Sequence, residues 1–212
     1  MEKCKKRKDF NYYKEKALRE FDNAKKLRLI DKKILLLLEV INKKENYYTT
    51  SSCSGRITID VEGKNKKEHL WLLKTHKTIK KEDLIKVFEL INKNKKIISN
   101  AHLKVDSFIL HIGCKSLDDA HLLLEACKKI GLKRTGIIQV YPRILIEILG
   151  LDRLSLPVFL ENSFLINTKE ESIEKVVDFA NRKLIKNWER IELLRKKIEK
   201  IEVKNKQDNN NY

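Results

Sequence analysis

The amino-acid sequence predicts an α+β fold: a single domain with a mixed or antiparallel β-sheet, packed helices and a long C-terminal helix. Apolar residues recur at helical spacing near both ends of the chain, whereas short segments of strand type lie between them. These segments do not follow the regular strand–helix–strand order that builds parallel sheets. The chain has 212 residues with only 6 Gly and 2 Pro, which favours one sizeable core without long linkers. We expect residues 1–203 to form this domain and residues 204–212 to be a polar, disordered tail.

The N-terminal part predicts two helices followed by a β-hairpin. Apolar positions step at helical spacing through residues 10–24, and a second apolar run at 34–41 follows Asp31, whose carboxylate is of the type that caps helices. Residues 56–61 alternate between apolar and polar side chains, as a half-buried strand does. The hairpin is completed by a turn expected at residues 63–66 and a returning strand at residues 69–74.

The C-terminal part predicts further helices, a central strand and a second hairpin. Residues 107–114 are nearly continuous in apolar side chains, which is typical of a strand in the interior of a sheet. Ser116 is placed to cap a helix that Gly131 would end. The other elements expected here are a helix at 82–90, hairpin strands at 135–141 and 144–149, and a long amphipathic helix at 169–201.

The chain is strongly basic. Lys and Arg total 47 against 30 Asp and Glu, which gives a formal net charge of +17 at pH 7. This balance favours a polyanionic partner, with RNA or DNA ahead of a membrane surface. A solvated charged surface is the alternative, because lysine-rich composition is also common in heat-adapted proteins.

The sequence also favours a cytoplasmic protein. The charged N-terminus is not followed by the apolar run of a secretory signal, and the longest apolar run, residues 34–38, is too short to span a bilayer. The 4 Cys include no C-x-x-C pair, so neither a zinc knuckle nor a thioredoxin-like motif is expected. Free thiols fit a reducing compartment.

Residues 48–56 carry the most information about function. Six consecutive hydroxyl or thiol side chains suit a loop whose backbone and side chains converge on a ligand. Gly55 can take a positive φ, and Arg56 can bind phosphate or carboxylate in a bidentate fork. The alternative is a Ser/Thr turn that satisfies its own backbone. The candidate binding residues in the segment are Thr50, Ser51, Ser52, Cys53, Ser54, Gly55 and Arg56.

Residues 49–56 resemble the S/T-x-S-S-C-x-G-R signature of the tRNA wybutosine-synthesizing protein 3 family. The resemblance covers about residues 7–195 and departs from the family at Leu132, where an aromatic residue is usual, and at Leu149-Gly150, where Arg-Ser is frequent. If that arginine holds phosphate or cofactor, another residue must do so here. Further matches are Asp31, Trp71 with His76, the strand Phe108-Ile109-Leu110-His111-Ile112, the run from Gly131 to Ile137, and the terminal-helix residues Ala180-Asn181-Arg182-Lys183, Asn187 and Arg190.

The resemblance implies an S-adenosyl-L-methionine-dependent methyltransferase. Its expected substrate is N4 of the 7-aminocarboxypropyl-demethylwyosine at position 37 of tRNA(Phe), with no metal, membrane or obligate protein partner. The glycine-rich strand-to-helix turn of Rossmann-like methyltransferases is absent, so a different fold is expected. A non-catalytic basic RNA-binding protein is the alternative that the charge supports equally well.

Methylation of a nitrogen requires positioning of the two reactants and the removal of one proton, for which Asp31, His76 and His111 are the candidates. Each has a structural alternative: a helix cap for Asp31, a surface turn for His76 and a hydrogen-bonded core position for His111. Trp71 can stack on a base or lie in the core. We interpret Cys53 as a packed side chain, because methyl transfer to nitrogen needs no covalent enzyme intermediate.

Clusters of basic residues are expected to follow the tRNA backbone, where phosphate contacts position the RNA. Solvated faces are the alternative for some of them. The clusters are Lys5-Lys6-Arg7-Lys8, Lys25-Lys26, Lys93 with Lys95-Lys96, and Lys128-Lys129.

Overall fold

The computed structural model describes residues 9–61, 70–94, 98, 100–167 and 169–201. Within them, five helices and nine strands are seen. In chain order they are α1 (Phe10–Lys26), α2 (Lys32–Lys43), β1 (Tyr47–Cys53), β2 (Arg56–Val61), β3 (Leu70–Thr75), α3 (Lys81–Lys93), β4 (Asn100–Asp106), β5 (Ile109–Cys114), α4 (Leu117–Lys129), β6 (Thr135–Gln139), β7 (Ile144–Leu149), β8 (Leu154–Leu160), β9 (Ser163–Phe164) and α5 (Glu170–Glu199).

The chain divides into two compact units, each built around one antiparallel sheet. Unit 1 comprises residues 1–53, 109–149 and 191–212, and unit 2 comprises residues 54–108 and 150–190. The α+β class and the antiparallel sheet are confirmed, and neither sheet has the parallel order of a Rossmann fold. The expectation of one domain over residues 1–203 stays a prediction.

Unit 1 contains a four-stranded sheet of order β1-β5-β7-β6 and the helices α1, α2 and α4. The Asp9 side chain caps α1 by accepting from the Tyr12 backbone N–H at 2.9 Å. The ring of Tyr48 lies on Gly113, where a Cβ would stand only 2.1 Å from the ring. Gly113 therefore lets a buried aromatic side chain pack directly on the sheet backbone.

Unit 2 contains a five-stranded sheet of order β3-β2-β4-β8-β9, with α3 and residues 170–190 of α5. Its core forms because alternate residues of the strands face the apolar sides of both helices. Removal of this apolar surface from water is the main stabilising contribution. Representative buried residues are Ile57, Ile59, Leu103, Val158, Phe159, Leu84, Ile91, Val177 and Leu184.

Most predicted elements are confirmed, including the cap at Ser116, whose side chain accepts from the Asp119 backbone N–H at 3.1 Å. The predicted loop over residues 48–56 is wrong: β1 and β2 occupy it, leaving Ser54 and Gly55 between them. Polar side chains are tolerated there because β1 is an edge strand. The predicted turn at 63–66, the start of the returning strand at His69 and the tail at 204–212 lie outside the described residues.

Three strands were not predicted, namely β4, β8 and β9. The β4 residues alternate regularly between buried and half-buried, so the period-two signal is present in the sequence. Pro157 obscures β8, since proline usually argues against a strand inside a sheet. The two residues of β9 are too few to give a pattern.

Candidate functional site

The first half of the polar segment is a bulged edge strand in unit 1. Thr49 pairs with Ile112 and Ser52 with Leu110, so both Thr50 and Ser51 lie opposite the single residue His111. Upstream of this irregularity, Thr49 donates its backbone N–H to the Asn42 side-chain oxygen at 2.8 Å, which ties β1 to α2. The bulge therefore sets two exposed hydroxyl side chains beside a histidine.

His111 links two elements through both ring nitrogens. Its Nδ1 lies 2.7 Å from Ser51 Oγ, and its Nε2 lies 2.9 Å from Glu147 Oε2. Because a carboxylate only accepts, Nε2–H donates to Glu147, and in the neutral ring Nδ1 accepts the Ser51 hydroxyl proton. His111 is half-buried, and its two hydrogen bonds join β1 to β7.

Glu147 was missed by the sequence reasoning. It lies directly opposite His111 in the β5–β7 register and interrupts an otherwise apolar strand of sequence Ile-Leu-Ile-Glu-Ile-Leu. A carboxylate in such a strand needs a partner, because burial of an unpaired charge is costly. That isolated acidic residue was the available signal.

The second half of the segment belongs to unit 2 and depends on backbone shape. Ser54 is fully buried, and Gly55 has φ +90°, with a Cβ that would stand 2.9 Å from the Asp106 carbonyl oxygen. Both the conformation and the contact exclude a side chain at Gly55. His76, at the end of β3, has its Nδ1 2.9 Å from the Gly55 carbonyl oxygen. Since a carbonyl only accepts, Nδ1 carries the proton and the neutral ring has its lone pair on Nε2.

Arg56 is held between a carboxylate and an indole. Its Nε donates to Asp106 Oδ2 at 2.8 Å, and its guanidinium carbon lies 5.4 Å from the centre of the Trp71 ring. Lys74 Nζ lies 5.3 Å from the same ring. Trp71 is 40% exposed, so its interpretation as a core residue is wrong. Among the described residues, the hydrogen bond to Asp106 orients the guanidinium through Nε, and its terminal nitrogens carry further N–H donors that suit a ligand.

Asp31 occupies the N-cap position of α2, but its side chain makes no capping hydrogen bond. The interpretation of this carboxylate as a helix cap is therefore wrong. Asp31, Ser52 and Cys53 are half-buried and belong to unit 1.

The basic clusters are partly used in ion pairs. Lys25 pairs with Glu39, and Lys128 lies 3.6 Å from Glu125, both near the surface. Such exposed pairs contribute little to stability and leave the charge accessible to RNA. The clusters at residues 5–8 and 95–96 lie outside the described residues. Among the helices that the structure describes, none has the length and apolar character needed to cross a bilayer.

Gly150 explains one departure from the expected family pattern. It is buried, its N–H donates to the Phe108 carbonyl at 2.9 Å, and a Cβ would stand 2.6 Å from Asn187 Oδ1 and 2.7 Å from the Phe108 ring. In unit 2 the Phe108 ring and the Asn187 amide thus occupy the space that a serine side chain would need.

Comparison with known proteins identifies relatives over most of the chain. Residues 12–200 match the family model described as methyltransferase TYW3. The chain is 34% identical, over 92% of its length and 96% of the relative's, to the tRNA(Phe) 7-((3-amino-3-carboxypropyl)-4-demethylwyosine(37)-N(4))-methyltransferase of Thermococcus sibiricus. It is 30% identical, over 87% of its length and 70% of the relative's, to the human tRNA wybutosine-synthesizing protein 3 homolog.

Solved structures show that other proteins share this fold. The PH1069 protein from Pyrococcus horikoshii superposes with a TM-score of 0.78 at 29% identity, covering 90% of this chain and 96% of that one. A hypothetical protein from Aeropyrum pernix superposes with a TM-score of 0.68 at 27% identity, covering 80% and 97%.

Two antiparallel sheets and a Ser/Thr-rich strand that is followed by Ser54-Gly55-Arg56 thus define a methyltransferase class that does not use the Rossmann fold. Within that class, the chain belongs to the methyltransferase TYW3 family.

Proposed function

We propose that this protein transfers a methyl group from S-adenosyl-L-methionine to N4 of the 7-aminocarboxypropyl-demethylwyosine at position 37 of tRNA(Phe). The observation that carries the proposal is the intact segment at residues 49–56 in a chain that is 34% identical to a relative named for that reaction. The formal charge of +17 supports a tRNA partner.

The residues around Arg56 fit the chemistry of the donor. S-adenosyl-L-methionine supplies an electrophilic methyl group and carries an α-amino carboxylate and an adenine. The Arg56 guanidinium, oriented by Asp106, offers the donors for a carboxylate, and the 40% exposed Trp71 offers a flat face for a base. The substrate base carries an α-amino carboxylate too, so the Arg56 fork suits either reactant.

The polar segment is proposed to position the reactants. Thr50, Ser51, Ser52, Cys53, Ser54 and Gly55 contribute hydroxyl, thiol and backbone groups on a strand and a tight connection that limit their motion. Rigid positioning can lower the barrier of such a displacement by several kcal/mol.

Methylation of N4 also releases a proton, for which two histidines offer an acceptor. His76 Nε2 carries the lone pair of a ring fixed by Gly55. His111 Nδ1 accepts through Ser51: the substrate proton passes to Ser51 Oγ while the Ser51 proton passes to Nδ1, and Glu147 stabilises the resulting cation. Asp31 is the third candidate, because a carboxylate can accept a proton.

The test is direct. The protein is incubated with methyl-labelled donor and with tRNA(Phe) carrying the precursor, and the nucleosides are analysed by mass spectrometry after digestion. One added methyl mass on the hypermodified base is expected. If no methyl is added while the tRNA is bound, the alternative of a non-catalytic RNA-binding protein is supported, and calorimetry with the donor, with and without tRNA, should then show no donor binding.

A further inference from the structure

Unit 1 contains a cavity of which the roles above use only Thr50. It has a volume of about 330 Å³, at the lower end of the range for small-ligand sites, which is roughly 300–1,000 Å³. Helix α1 contributes Tyr12, Tyr13 and Lys16 to its lining, and the end of β6 and the connection after it contribute Gln139 and Arg143. Thr50, from the polar segment, also lines it.

The lining combines flat rings and two cations with one carboxylate, that of Glu20. The Arg143 guanidinium carbon lies 5.1 Å from the centre of the Tyr13 ring, and Tyr12 and Tyr13 meet edge to face at 5.5 Å. Lys16 is exposed and lies 3.8 Å from Glu20, a weak surface pair in which the ammonium stays accessible. Tyrosine rings stack on bases, Arg and Lys contact phosphates, and the Gln139 amide can both donate to and accept from a base edge.

The end of β6 and the connection that follows it extend this character. Ile138, Val140 and Tyr141, the sequence neighbours of the lining residues Gln139 and Pro142, are 52%, 59% and 70% exposed. Exposed apolar and aromatic side chains beside basic groups are the pattern of proteins that hold unpaired nucleotides.

We propose that this cavity binds an unpaired RNA nucleotide that neighbours the base to be methylated, with its base against Tyr12 and Tyr13 and its phosphate at Arg143 and Lys16. The inference rests on the proposed function, because it assigns the cavity to the tRNA substrate. Thr50 connects it to the segment that positions the reactants. Single-stranded anticodon-loop nucleotides are the class of RNA that such a site recognises.

The experiment measures affinity of the full-length chain for unmodified tRNA(Phe) transcript at several salt concentrations. Tyr12→Ala should weaken binding roughly 5- to 100-fold, as expected for the loss of one stacked base, whereas Tyr12→Phe should bind like wild type. Arg143→Ala should weaken binding and lower the slope of log affinity against log salt by roughly 0.7, the contribution of one phosphate contact on a single strand. Arg19→Ala is the matched control, since Arg19 lies on α1, pairs with Glu15 at 3.9 Å and does not line the cavity.

Unchanged affinity and salt slope in both Tyr12→Ala and Arg143→Ala, with wild-type thermal unfolding, would overturn the proposal. The proposal would also be overturned if these variants lost their calorimetric affinity for S-adenosyl-L-methionine but kept their affinity for tRNA, because the cavity would then hold the donor. If Arg143→Ala does not fold, the exposed Lys16→Ala carries the salt measurement. A protein that binds tRNA through this cavity but adds no methyl group would refute the proposed function alone. Methyl transfer that persists with unchanged tRNA affinity in the variants would refute the cavity proposal alone.

Discussion

The two halves of residues 49–56 use different physical means. In unit 1 the segment is an edge strand that presents hydroxyls through a bulge, and Ser51 joins His111 and Glu147 in a chain of side-chain hydrogen bonds. In unit 2 the segment depends on its backbone, with Ser54 buried, Gly55 at φ +90° and Arg56 fixed by Asp106. One half therefore tolerates adjustment of side chains, whereas the other is specified by shape and by one guanidinium.

The largest effect is expected from Arg56→Ala in unit 2. Arg56 is proposed to bind the carboxylate of a reactant through two charge-assisted hydrogen bonds. Their loss should lower kcat/KM roughly 10²- to 10³-fold, measured with saturating donor and varied tRNA. Arg56→Lys should recover only part of the activity, because an ammonium cannot make the planar bidentate contact. Arg153→Ala, which removes a different hydrogen-bonded arginine of unit 2, is the matched control. Full activity of Arg56→Ala would mean that the reactants are held elsewhere.

Glycine substitutions test whether backbone conformation at Gly55 matters more for activity than side-chain packing at Gly113. Gly55→Ala combines a positive φ with a clash against a backbone oxygen, and Gly113→Ala meets the Tyr48 ring, so each should lower the free energy of unfolding by about 1–3 kcal/mol. Gly55→Ala should additionally lower kcat per folded molecule, since it displaces the segment itself. Gly136→Ala is the control, because in the described part of the chain no atom beyond its two sequence neighbours lies within 4 Å of its Cβ position.

Urea unfolding followed by circular dichroism measures these changes, and turnover is corrected for the folded fraction. Equal losses of turnover in Gly55→Ala and Gly113→Ala would show that the two halves of the segment do not differ in this respect.

A smaller effect is expected from Glu147→Gln in unit 1. An amide retains shape and can still accept from His111 Nε2–H, but it cannot stabilise an imidazolium by charge. If His111 takes the proton, kcat should fall roughly 10- to 100-fold, with a changed pH–rate profile and an unchanged KM for the donor. Glu147→Asp should restore part of the rate. Glu125→Gln, on the surface of α4, is the matched control. A wild-type rate and a wild-type pH–rate profile for Glu147→Gln would leave His76 or Asp31 as the base.

The fold class and most elements could be predicted because apolar periodicity records which face of each element is buried. The site was only partly predictable. His111 and Ser51 are 60 residues apart, and the β-bulge that joins them depends on a pairing register that local sequence does not specify. Asp106 and Glu147 contact Arg56 and His111 from neighbouring strands, so these contacts follow from cross-strand register rather than from any motif. The exposed position of Trp71 likewise depends on tertiary packing, which alternation along one strand does not reveal.

The smallest effect on activity is expected at Cys53, which distinguishes a packed thiol from a nucleophile. Cys53→Ala should keep kcat within roughly tenfold of wild type, because no covalent intermediate is needed.

Burial raises the pKa of Cys114 and of Cys127 to about 12, so these two thiols react slowly at pH 8. In a Cys4→Ser background, iodoacetamide at pH 8 should therefore modify the half-buried Cys53 first. Both buried thiols stay neutral in the folded protein but ionise near pH 9 when unfolded, so stability should be retained below pH 9 and fall toward pH 12. Loss of all turnover in Cys53→Ala with a wild-type unfolding curve would instead give this thiol a direct part in the chemistry.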